Sequence, residues 1–197
     1  MLLMNMELKT ERLVLRELAK SDAKDIKENA NSKGISKYLV LMPYPYSLKD
    51  AKEFINHALE ASMERPRKEY NLGITLRGEG KVIGIISIDS ISMVHKTRNI
   101  GYWLGENHHR KGYMTEAFRK VLDFSFNELE LRQINMRAFV ENVASNKLIS
   151  NMGFVYEDTK IEALKDKATG KLHDEHIYRL LRNEYLAKKQ GQMQLFK

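Results

Sequence analysis

The sequence predicts a mixed α/β fold: a mostly antiparallel central sheet of six to seven strands flanked by helices. Three observations lead there. Segments alternating apolar and polar residues are interleaved with segments of helical apolar spacing. One helical segment separates the fourth and fifth strands, which asks for a parallel crossover, while the remaining neighbours can pair antiparallel. The 197 residues are 43% hydrophobic, enough to bury one substantial core and too many for a disordered chain.

Residues 11–18 alternate, with Leu13 and Leu15 on one face, as in a half-buried strand. Ser21 can cap a helix reaching residue 30. Ser47 and Asp50 form a capping-box pattern, followed at helical spacing by Phe54, Ile55, Ala58, Leu59 and Met63. Between these helices, residues 38–46 hold two of the three prolines in an apolar, aromatic loop. Residues 70–76 and 82–91 read as strands joined by the turn 77–81, the second nearly all apolar as in a central strand. Residues 98–104 form the fourth strand. Residues 111–127 form a helix with Met114, Ala117, Phe118, Val121 and Leu122 facing inward. Ile134, Met136, Ala138 and Val140 alternate on the fifth strand. Asn142 caps a short helix that buries Leu148, Ile149 and Met152 and stops at Gly153. Strands at 154–161 and 176–181 follow, joined by the turn 165–170. Residues 1–187 form one domain, with 188–197 a flexible tail.

Cysteine is absent, which excludes disulfides and thiolate metal sites and fits a reducing compartment. No apolar run approaches the ~18 residues of a membrane span, so a cytoplasmic protein without membrane contact is expected. The formal charge of +7 raises nucleic acid as a partner, but the basic residues are scattered among acidic ones, so it is not expected as the main ligand.

The chemistry concentrates in residues 102–117. A strand ends, a polar turn follows, and a helix opens on Gly112 with Arg110 and Lys111 before it. The first turn of a helix carries unpaired N–H groups and the positive end of the dipole, which bind phosphate. Gly112 lets a diphosphate approach the main chain. The segment reads as a phosphate cradle for a nucleotide-type cofactor. His108 and His109, adjacent on a turn, do not form a metal set, and no metal is expected. Neither a Gly-x-Gly-x-x-Gly fingerprint nor a P-loop occurs.

The pattern resembles the GNAT acetyltransferases of the RimJ/RimL type over residues 8–182. Residues 8–16 resemble the first strand of that group, and Ile100-Gly101-Tyr102-Trp103-Leu104 its fourth. Residues 109–117 resemble the diphosphate loop, residues 141–146 with 151–154 the second cofactor motif, and His173-Asp174-Glu175 the start of the last strand. The resemblance implies a sheet splayed between strands four and five, acetyl-CoA as donor and an amine as acceptor. The backbones of Trp103 and Leu104 would pair with the pantetheine arm. Those of His109, Arg110, Lys111, Gly112, Tyr113, Met114 and Thr115 would wrap the diphosphate, with Asn142 and Ser145 beside the pantetheine near the thioester and Asn146 adjacent.

The resemblance also implies catalytic roles. Ser145 would serve the departing thiolate, and Glu162 would take the amine proton. Two positions depart from the wider family: Asn99 replaces a strand-four Glu and Ile149 replaces a Tyr. Tyr44, Tyr46, Trp103 and Phe139 are aromatic candidates for the acceptor pocket. The expected acceptor is a protein or peptide N-terminal α-amine, the alternatives being a small amine (polyamine, amino acid or antibiotic) or a CoA-binding regulatory module without turnover. A homodimer is a possible assembly.

Overall fold

The computed structural model describes residues 6–92 and 94–194. Eight strands form one sheet: β1 (Glu7–Lys9), β2 (Leu13–Glu17), β3 (Glu69–Leu76), β4 (Val82–Ser92), β5 (Thr97–Leu104), β6 (Gln133–Phe139), β7 (Val155–Lys165) and β8 (Leu172–Leu181). Their order is β1-β2-β3-β4-β5-β6-β8-β7. All neighbours are antiparallel except β5 and β6. The helices are α1 (Ala23–Ala30), α2 (Lys33–Ser36), α3 (Leu48–Met63), α4 (Tyr113–Asp123), α5 (Val143–Asn151) and α6 (Arg182–Gln194).

The expected architecture holds, with one strand more than predicted. Residues 8–16, read as continuous, break at Thr10, whose hydroxyl accepts the Leu13 amide at 2.9 Å and turns the chain into a β1–β2 hairpin. The helix predicted from Ser21 begins instead with a 3-10 turn at Lys20–Asp22, and Asp22 accepts the Ala19 amide at 2.7 Å. The capping box forms as read, Asp50 N–H donating to Ser47 Oγ at 3.2 Å and Ser47 N–H to the Asp50 carboxylate at 2.8 Å. The helix expected over 111–127 starts at Tyr113 and passes into a π-helical turn, Phe124–Glu128. Residues 188–194, read as tail, continue α6. Lys188 donates to the Gly153 carbonyl at 3.1 Å and Lys189 pairs with Asp123.

Both faces of the sheet are covered. A bulge at Ile83 puts Val82 and Ile85 on one face, against Ile26, Ala51 and Ile55 of α1 and α3. Ile83, Ile86 and Ile88 lie in the other cluster with Phe118, Val121, Leu122 and Phe126. A nearly all-apolar β4 is what two buried faces require.

The feature that builds the site is a short seam. β5 and β6 pair only from Thr97↔Gln133 to Asn99↔Asn135. Beyond Asn99 the two strands part, leaving a gap that opens toward Leu104 and Phe139.

Candidate active site

Two cavities meet at this gap. The first, about 460 Å³, lies between the end of β5, α2 and the starts of α4 and α5. Its wall includes Trp103, Leu104, His109, Arg110, Gly112, Tyr113, Met114, Thr115, Asn142 and Ser145, which the sequence had singled out. The second, about 810 Å³, lies under the 38–46 loop and α3. The two share Tyr38, Leu39, Tyr102 and Trp103.

The loop before α4 is shaped for an anion. Arg110 and Gly112 have φ of 59° and 81°, bracketing Lys111 with left-handed residues. Curling of this kind turns successive N–H groups to one side. Gly112 is the N-cap of α4, so the helix dipole adds to those donors. His109 Nε2 donates to the Leu104 carbonyl at 2.7 Å, tying the loop to the end of β5. Gly84 lets that end pack: a Cβ there would sit 2.5 Å from the Trp103 carbonyl.

A hydroxyl pair spans the gap. Tyr102 of β5 and Ser145 of α5 are 2.8 Å apart. Burial pushes the Tyr102 phenol up to about 12, against a smaller downward effect of the Ser145 hydrogen bond, so it stays protonated at neutral pH. Tyr102 was missed as a functional residue in the sequence. Its signal was the apolar run ending β5, which does not say that strand six turns away there.

Not every expected residue reaches the site. Asn142 does, lining the first cavity while it caps α5 and accepts the Ser145 amide at 3.2 Å. Asn146 turns inward: its Nδ2 donates to the carbonyls of Phe139, Val140 and Asn142 at 2.9, 3.2 and 3.0 Å, and its Oδ1 accepts from Tyr178 at 2.8 Å. It braces the start of α5 and does not line the cavity. The Lys111 side chain is also off the wall, and its carbonyl accepts from Arg12 at 3.1 Å. Glu162 lies on neither cavity. It is exposed, with φ of 46°, in the irregular stretch of β7 between Lys160 and Leu164, and its amide donates to Asp174 at 2.8 Å. Ile149 is fully buried core.

The carboxylates near the gap are others. Glu69, Asp89 and Asn99 lie side by side across β3, β4 and β5 and line the second cavity. His57 of α3 reaches Glu69 at 2.8 Å. Burial, and next the negative charge of Glu69, raise the Asp89 carboxyl above its usual range. Glu175 of β8 is 3% exposed, and burial raises it as well; Arg137 stands 3.5 Å away. Asp50 and Glu53 complete five carboxylates, against the cations Arg137 and Lys167. Of the aromatic candidates, Tyr46, Trp103 and Phe139 line this cavity and Tyr44 does not.

The sheet thus parts at a parallel seam between a left-handed loop at the start of α4 and a carboxylate-lined chamber. The acetyltransferase (GNAT) domain matches residues 12–155. The chain therefore belongs to the GNAT acetyltransferases. It is 31% identical to the uncharacterized N-acetyltransferase p20 of Bacillus licheniformis, over 89% of this chain and 96% of that one. It is 25% identical to the spermidine N(1)-acetyltransferase of Vibrio cholerae, again over 89% and 96%. A ribosomal-protein-serine acetyltransferase of Escherichia coli is 34% identical over 40% of this chain and 44% of its own. Among solved structures, the microcin C7 self-immunity acetyltransferase MccE, in complex with acetyl-CoA and AMP, superposes with a TM-score of 0.74 at 25% identity, covering 87% of this chain and 93% of that one. The protein is an acetyltransferase that uses acetyl-CoA. No helix among the described residues is long and apolar enough to cross a membrane.

Proposed function

We propose that the protein acetylates a primary amine, with a protein or peptide N-terminal α-amine as its acceptor. The observation carrying this reading is the open, acidic chamber of about 810 Å³ that joins the first cavity at Tyr102 and Trp103. It is near the top of the usual range for ligand sites, with room for more than a lone small amine.

The first cavity suits the donor. Its backbone donors and left-handed turn offer what a diphosphate needs, and Trp103 and Leu104 lie along the parted strand for the pantetheine arm. Acetyl-CoA supplies an activated thioester; the remaining work belongs to the chain. An α-amine has a pKa of about 8 and is mostly protonated at neutral pH. Asp89 and Glu175, both raised toward neutrality by burial, hold the ammonium and accept its proton, directly or through water. Tyr102 and Ser145 together offer a hydroxyl donor to the departing thiolate.

A second reading is favoured by one observation: five carboxylates against two cations also suit a polyamine. Thiol release measured with a panel of peptides and small amines separates the two. Turnover confined to peptides supports the first reading, and turnover confined to polyamines replaces it with the second. Tight CoA binding with no acceptor turned over refutes both.

A further inference from the structure

The β1–β2 turn is wired to the loop before α4 from behind. Glu116, in the first turn of α4, takes three donors from the β1–β2 turn. Its Oε1 accepts the Thr10 hydroxyl at 2.6 Å and the Arg12 amide at 2.8 Å, and its Oε2 accepts Arg12 Nε at 2.7 Å. Arg12 Nη1 donates to the Lys111 carbonyl at 3.1 Å, and its guanidinium packs 4.9 Å from the centre of the Tyr113 ring. One side chain thus grips the residue before Gly112 and the helix after it.

We infer that Arg12 is a positioning residue for donor binding, acting through the Lys111–Gly112 peptide. The inference rests on reading this loop as the diphosphate cradle. In a planar trans peptide the carbonyl and the following N–H point to opposite sides. Holding the Lys111 carbonyl outward therefore aims the Gly112 N–H inward, at the cavity. Glycine tolerates both hands of φ, so at this peptide an external tether selects the orientation. Arg12 also neutralises Glu116, whose charge would otherwise stand near a bound dianion. A planar guanidinium can hold a carboxylate and a carbonyl at once, whereas a single ammonium holds one of them well.

The test compares Arg12→Ala, Arg12→Lys and Gly112→Asp. CoA affinity is measured by calorimetry, and kcat and the KM for acetyl-CoA by thiol release. Arg12→Ala is expected to weaken CoA binding and raise the donor KM about tenfold, the scale of one misaligned charge-assisted donor, with kcat at saturating donor changed far less. Arg12→Lys, which keeps the charge and serves if the alanine variant does not fold, is expected to retain most of that loss. Wild-type CoA affinity in both Arg12 variants overturns the inference, as does full rescue by Lys, which would leave only a charge effect. Gly112→Asp separates the levels. If it weakens CoA binding while the Arg12 variants bind normally, Arg12 alone is misassigned; if it binds CoA normally, the cradle reading itself fails.

Discussion

Gly112→Asp tests the loop and its tether together, because a Cβ at Gly112 would sit 3.2 Å from Arg12 Nη2. Gly112 sits at φ of 81° at the start of α4. A left-handed residue with a side chain costs about 1–2 kcal/mol, and aspartate is among the types that tolerate it best. A carboxylate at a helix N-terminus returns roughly 0.3–1 kcal/mol through the dipole. The net loss in the free protein is therefore about 1 kcal/mol or less, a fall of roughly 2–4 °C in Tm for a chain of this size. Donor binding is affected more. The new carboxylate points toward Arg12, on the far side of the loop from the cavity; like charges about 8 Å apart repel by about 2 kcal/mol at an effective dielectric of 20, roughly thirtyfold in affinity. CoA at a hundred times its Kd stabilises wild type by about 2.7 kcal/mol, or roughly 5–11 °C. The assay is a thermal melt with and without CoA. The expected result is a near-normal Tm for free Gly112→Asp and a CoA-induced rise cut to about a third of the wild-type one. A rise equal to wild type would refute the placement of the diphosphate at this loop.

Two further changes probe other parts of the site. Ser145→Ala leaves the partly buried Tyr102 hydroxyl without its 2.8 Å partner; kcat is expected to fall roughly 10²-fold, the lower end for loss of a proton donor, with the donor KM nearly constant in thiol-release kinetics. An unchanged kcat removes the pair from the reaction. His173 lies between Asp166, at 2.8 Å, and Glu141. Burial disfavours its charged form, but the two hydrogen bonds outweigh burial and raise it above its ordinary value. Its contribution is fully present below about pH 6.5 and is lost as pH rises through the higher folded value. Wild-type Tm is thus expected to fall on the alkaline side more steeply than that of His173→Gln, and parallel melting curves from pH 6 to 9 would contradict the clamp.

Much of the fold was readable because its signals are local. Ser47 and Asp50 announce α3, Asn142 and Gly153 bracket α5, and the two-sided apolar β4 marks the sheet centre. The loop before α4 was marked for the same reason: Gly112 and its basic neighbours are consecutive residues at a helix start. What escaped depends on pairing or on very short elements. β1 has three residues and α2 four, too few for either period to show. The alignment of Glu69, Asp89 and Asn99 exists only once β3, β4 and β5 are in register. Glu162 faces away because β7 loses register between Lys160 and Leu164, a slip invisible in its residue types. Asn146 looked like a ligand contact because its saturation by three carbonyls and Tyr178 is a tertiary fact.

Three rungs join β5 to β6 within the sheet, and one apolar cluster, with Ile86, Phe118, Ile134 and Leu180, spans both halves beneath it. From Asn99 to Leu104 the free length is roughly 16 Å at the usual strand rise, so a tilt of about 5° at the fastening moves the far end by roughly 1.4 Å. Displacements of about 1 Å between reacting groups can cost a hundredfold in rate. Thr97, Arg98 and Asn99 therefore set the angle at which the two strands part, and substitutions there are expected to alter turnover while leaving the wall of the first cavity intact.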